Sequence, residues 1–101
     1  MEIEAERMVL TPSRGATKGV CDLRIGTLSN QIVVKGVTVR EGTAHGQTRL
    51  FVAMPAMKSA DGAYHDMVVP ATAEARDAVT RTVMAAYERA VEAKREREVD
   101  R

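Results

Sequence analysis

The sequence predicts an α+β fold: a five-stranded antiparallel β-sheet, wound as a meander and followed by one long C-terminal α-helix. Two observations carry this. Up to residue 70, runs rich in Val, Ile and Thr are separated by Gly- and Pro-containing turns, with no helix-period segment between them, so successive hairpins fit better than βαβ units. From residue 71 onward the apolar residues recur at three- and four-residue steps and no Gly or Pro intervenes.

The elements follow in order. Residues 2–10 alternate imperfectly: Ile3, Ala5 and Val9 share one parity, Met8 and Leu10 the other. They are read as a first strand. Thr11-Pro12-Ser13-Arg14-Gly15 is a turn. In Val20 to Ile25, Cys21, Leu23 and Ile25 point one way and Asp22 and Arg24 the other, as in a half-buried antiparallel strand. Gly26 to Asn30 turns the chain. Gln31 to Glu41 is the longest β-rich run, and Gly36 within it suggests a bulge or bend. Gly42 to Thr48 reads as a flexible loop. Arg49–Met54 and Tyr64–Val69 then form the last hairpin, bending at Asp61-Gly62 and stopped by Pro55 and Pro70. Thr72 suits an N-cap, with Glu74 in the first turn, where the helix dipole favours an acid. Val79, Val83, Ala86, Tyr87, Ala90 and Val91 make one apolar stripe on a helix read through to Arg101.

Length and composition narrow the function. The 101 residues suit one domain, 1–101, with a modest core. Aromatic content is only 3%, so that core is built from aliphatic residues. The single cysteine excludes an intrachain disulfide framework or a cysteine-based metal site, and Cys21 is expected to be a small buried hydrophobe. The acidic start, Met1 to Glu6, has no apolar core of a secretory signal, and no apolar run is long enough to span a membrane. A cytoplasmic location is expected. Net charge is +1, but residues 12–58 hold seven Lys and Arg against two acids, between an acidic start and a balanced tail. On charge alone that middle segment is better explained by ordinary surface solubility; the sharper reading is a weak polyanion-binding face.

Specific motifs add more. Leu50-Phe51-Val52-Ala53-Met54-Pro55, followed by Asp61-Gly62, Tyr64, Asp66 and Pro70, resembles the signature of the SpoVG (septation, or stage V sporulation) family. Ile32-Val33-Val34 and Val37-Thr38-Val39-Arg40 resemble that family's preceding strand, and the helix bearing Tyr87 resembles its helix. The resemblance runs from about Gln31 to Ala90. It implies a small antiparallel sheet with a C-terminal helix, a homodimer, and a bacterial regulator that binds DNA at preferred sites and in some members RNA. It implies no enzymatic activity. Three departures lower the positive potential: Met57-Lys58 where relatives commonly carry Lys-Arg, His65 where an arginine often precedes the aspartate, and three glutamates in the first strand.

Nucleic-acid binding needs cations that meet phosphates. The candidates are Arg40 and Arg49 around the flexible loop, Lys58 and His65 on the hairpin, and Arg76 and Arg81 near the helix start. With only Phe51, Tyr64 and Tyr87 available, single-strand binding by base stacking is disfavoured, and groove or backbone contact is expected. No cofactor or metal is expected. His65 and Asp66 are adjacent on a strand, so they point to opposite faces and do not form a catalytic dyad. No His, Asp or Cys spacing is that of a zinc site. The expected function is therefore regulatory nucleic-acid binding by a non-enzymatic homodimer. The alternative is a protein-interaction adaptor of the same fold with weakened nucleic-acid binding.

Overall fold

A computed structural model describes residues 2–12 and 15–99. Its elements are β1 (Glu2–Leu10), β2 (Thr17–Thr27), β3 (Asn30–Ala44), β4 (Gln47–Ala53), β5 (Ala56–Lys58), β6 (Tyr64–Asp66) and α1 (Ala73–Val99). Strands β1 to β4 form one antiparallel sheet in chain order, while β5 and β6 pair separately as a two-stranded hairpin. The α+β class and the meander hold. The sheet, however, has four strands rather than five.

The difference lies in how the last strands pair. Residues 49–54 do not pair with 64–69. Instead β4 pairs with β3, Phe51 opposite Arg40 and Val52 opposite Val39. Pro55 has no N–H to continue the ladder, so the chain breaks there and starts a new, short strand. Tyr64–Asp66 pairs with that strand, Lys58 opposite Tyr64 and Ala56 opposite Asp66. The region read as a flexible loop, 42–48, is also mostly strand. His45 and Gly46 alone make the β3–β4 turn, with φ of 53° and 74°. Positive φ at both central residues is the type I′ geometry that matches the twist of a two-residue hairpin.

Register shifts explain the irregular patterns. In β1 the pairing slips between Glu6 and Val9, and Arg7 has φ 57°. This bulge switches parity, so Ile3 and Ala5 before it and Met8 after it all face the core, while Val9 is exposed. In β3, Lys35 and Gly36 together oppose the single residue Asp22, one residue extra between Val34 and Val37, with Gly36 at φ 82°. Val34, Val37 and Val39 thereby reach the same face.

That face is covered by α1. Thr72 caps the helix as expected: its Oγ1 accepts from the Ala75 N–H at 3.1 Å. Val79 and Val83 pack with Cys21, Leu23, Val34, Val37 and Val39 in the core. The predicted stripe is thus spent on the chain's own sheet. The helix lies mainly over β1. Tyr87 and Met8 close over Gly19, where a Cβ would sit 3.2 Å from the Tyr87 ring and 3.1 Å from the Met8 sulfur. Burial pushes the Cys21 thiol pKa up, with the Asp22 charge adding to it, so the residue behaves as the apolar core member the sequence predicts. Asp100 and Arg101, where the predicted helix ends, lie outside the described residues.

Candidate nucleic-acid interface

With one sheet face under the helix, the other is left uncovered. The β alternation assigns its side chains. On β1 and β2 they include Glu2, Glu4, Glu6, Val9, Val20, Asp22 and Arg24, since Ile3, Ala5, Met8, Cys21 and Leu23 face inward. On β3 and β4 they include Thr38, Arg40, Arg49, Phe51 and Ala53, since Val37, Val39 and Val52 face inward. The uncovered face is therefore polar along the strand direction. Acids gather towards the β2–β3 turn and arginines towards the β3–β4 turn.

The acidic end is internally compensated in part. Glu6 sits directly opposite Asp22, a repulsive pairing. Arg24 offsets it by binding Glu6 through two nitrogens, at 2.9 and 3.2 Å, and by donating to Gln31 at 3.3 Å. The Arg24 hydrogen bond and charge hold the Glu6 carboxyl below its ordinary pKa, and Glu6 in turn raises that of Arg24.

At the basic end, Arg40 donates to the Thr17 hydroxyl at 2.9 Å and Arg49 to Gln47 at 3.0 Å. Neither forms an ion pair among the described residues. The Phe51 ring lies between them. It covers Gly42, where a Cβ would come within 2.9 Å of the ring, and it is 46% exposed.

The β5–β6 hairpin stands beside this surface. Its pairing puts Ala56, Lys58, Tyr64 and Asp66 on one side and Met57 and His65 on the other. The first side meets the sheet: Ala56, Tyr64 and Asp66 line a groove of about 530 Å³ together with Thr38, Arg40 and Ala53. The hairpin loop is closed from within. Ser59 donates to Asp61, Asp61 accepts from the Ala63 N–H at 3.0 Å, and Gly62 N–H donates to the Ser59 carbonyl at 3.0 Å. The bonds from the Ser59 hydroxyl, first, and the Ala63 N–H lower the Asp61 pKa.

The six predicted cations are thus divided. Arg40, Arg49 and Lys58 share the uncovered side. His65 faces away from it, on the Met57 side of the hairpin. Arg76 and Arg81 are exposed on α1, the element that packs on the opposite sheet face. Arg76 lines a second groove, about 360 Å³, between α1 and β4, which also touches Phe51 and Asp66. Sequence reasoning missed Phe51 and Tyr64 as members of the surface. Their signal was present: both are large apolar residues on short strands, and Tyr64 is 72% exposed. Their convergence depends on the β3–β4 pairing that the sequence reading did not foresee. Among the described residues no group of three or more His, Cys, Asp or Glu could hold a metal ion, and no helix is long and apolar enough to cross a membrane.

A four-stranded meander backed by one helix, with an uncovered, charge-polarised face and a satellite hairpin, defines a small sheet-and-helix protein that presents a surface rather than an enclosed cavity. The family comparison is specific. The SpoVG family model matches residues 1–89, and the chain belongs to that family. Relatives carrying the provisional name of septation protein SpoVG include one from Clostridium beijerinckii, 36% identical over 91 residues that cover 90% of this chain and 92% of the relative. Another, from Archaeoglobus fulgidus, is 32% identical over 87 residues, 86% of this chain and 94% of the relative. A third, from Myxococcus xanthus, is 40% identical over 63 residues, 62% of this chain and 60% of the relative. The match reaches back into β1, well before the residues on which the resemblance was first read.

Proposed function

We propose that this SpoVG-family chain is a regulatory nucleic-acid-binding protein that acts without catalysis, binding DNA or RNA as a homodimer in gene regulation or septation control. The observation that carries the reading is the gathering of Arg40, Arg49 and Lys58 on the one sheet side that nothing covers. Three cations that form no ion pair among the described residues, on a single surface, supply the electrostatic footprint that phosphate binding needs. The names of the relatives bear on the septation part of the reading alone.

The homodimer rests on a different feature from the one the sequence suggested. The helix stripe is occupied by the chain's own sheet, so it offers no second copy a docking face. β4, in contrast, is an edge strand with exposed Leu50 and Phe51. Open edges of this kind favour pairing with another chain. A sedimentation mass near one 11.0 kDa chain at micromolar protein would reject the dimer.

Gel-shift titrations with DNA and RNA test the binding. Affinity is expected to fall steeply as salt rises, and Lys58→Ala or Arg49→Ala is expected to weaken it more than Arg81→Ala does. Binding indifferent to salt and to all three substitutions would reject the reading. The runner-up, a protein-interaction adaptor, is favoured by the open β4 edge. It predicts no nucleic-acid binding at any salt concentration.

A further inference from the structure

We propose that the basic end of the uncovered sheet face is a base-stacking site for single-stranded nucleic acid, with Phe51 and Tyr64 as the aromatic platform and Arg40, Arg49 and Lys58 holding the backbone. This rests on the nucleic-acid reading above and deepens it. Scarcity of aromatics in the sequence argues against stacking, but what matters is placement. The chain has three aromatic residues. Tyr87 is committed to the core side, against Gly19. The other two both lie on the uncovered side, and both are substantially exposed.

The register sets them in a row. Phe51 is opposite Arg40, and Ala53 is opposite Thr38 on the same face. Two residues along a strand advance about 7 Å. One such step from Phe51 therefore reaches the floor of the 530 Å³ groove, formed by Thr38 and Ala53 and bordered by Tyr64. An exposed aromatic next to an open groove with a second aromatic at its border suits successive unstacked bases. A duplex keeps its base faces stacked inside and leaves both rings without partners.

The charges agree with this placement. Arg40 and Arg49 flank the Phe51 ring, and Lys58 sits opposite Tyr64 on the hairpin. Phosphates on either side of a stacked base therefore meet cations. Asp66, which lines the same groove, disfavours a phosphate there and accepts hydrogen bonds from the amino edge of a base. The acids at the opposite end of the face repel a backbone and so bound the site along the strand direction. Gly42 completes the geometry: any side chain at that position would displace the Phe51 ring from the sheet.

The test uses the full chain with four probes: oligo(dT), oligo(rU), a duplex DNA, and heparin as a polyanion without bases. Because the chain contains no tryptophan, the Phe51→Trp variant carries a single indole reporter. Its fluorescence is expected to be quenched by oligo(dT) or oligo(rU) and unchanged by heparin. The Phe51→Leu and Tyr64→Leu variants are expected to bind the single strands about tenfold or more weakly while binding heparin as the parent chain does. Circular dichroism confirms that each variant is folded. Equal affinity of parent and both Leu variants for oligo(dT), with no quenching, overturns the stacking site yet leaves salt-dependent nucleic-acid binding standing. Tighter binding to duplex than to single strands, insensitive to Phe51, overturns it in the same way. Failure of all four probes to bind removes the broader reading as well.

Discussion

The two faces of the sheet are built from the same four strands and differ in almost everything else. The inner face is aliphatic, with Leu23, Val37 and Val39 fully buried beneath Val79 and Val83. The outer face carries charge and the Phe51 ring, with Tyr64 of the β5–β6 hairpin beside it, and no helix covers it among the described residues. Alternation alone places successive residues on opposite sides, so one strand serves both surfaces. In β3, Val39 belongs to the core and Arg40, its neighbour, to the surface. Stability is therefore concentrated on one side and available chemistry on the other. Either can be altered with little effect on its opposite.

That contrast can be broken most directly by paired truncations. Leu23→Ala opens a void in the fully buried core and is expected to cost about 2–5 kcal/mol in denaturant unfolding. Phe51→Ala, on the open face, is expected to cost well under half of that while reducing nucleic-acid affinity. Equal costs would mean that the outer face is covered in the native protein. A smaller effect probes the cover itself. Thr72→Ala removes the hydroxyl that accepts from the Ala75 N–H and is expected to lower stability by about 1 kcal/mol, without changing ligand affinity.

How much of this was legible in the sequence follows from the range of the interactions involved. The inner face of β2 was readable because Cys21, Leu23 and Ile25 alternate without interruption, and the helix because Thr72 and the stripe from Val79 are local signals. The mismatch of Val9 with Met8 and Leu10 was visible too, and the Arg7 bulge is its physical cause. Strand partnership was not legible. Both β3 and the 64–69 segment were plausible neighbours for β4, and the choice depended on a His45-Gly46 turn that lacks the Asn-Gly or Asp-Gly pair usually found there. Of the candidate site, the arginines were named individually. Their division between two sides, and the joining of Phe51 and Tyr64 to one of them, required that partnership.

The smallest expected effect concerns the acidic end of the outer face. Arg24 holds the Glu6 carboxyl below its ordinary value near 4.5. The folded state thus favours the ionised form. Its contribution to stability is present above that ordinary value and fades as pH falls through the lowered one. Glu6→Gln is expected to reduce the melting temperature slightly at neutral pH, with the two proteins converging once the pH has fallen through the lowered carboxyl pKa. An unchanged difference at acid pH would show that the pair does not act through its charge.

The separate β5–β6 hairpin has a consequence for how such proteins diversify. It is joined to the sheet through Pro55, whose carbonyl accepts the Met67 N–H at 2.8 Å, and its loop is closed by Ser59, Asp61 and Ala63 without help from the core. It behaves as an interchangeable tip on a fixed handle. Substitutions within 56–66, or a loop of another length between the same two strands, can be tried without renegotiating the packing of the helix on the sheet. A change in the proposed binding preference can be confined to this stretch and leave the scaffold beneath it as it is.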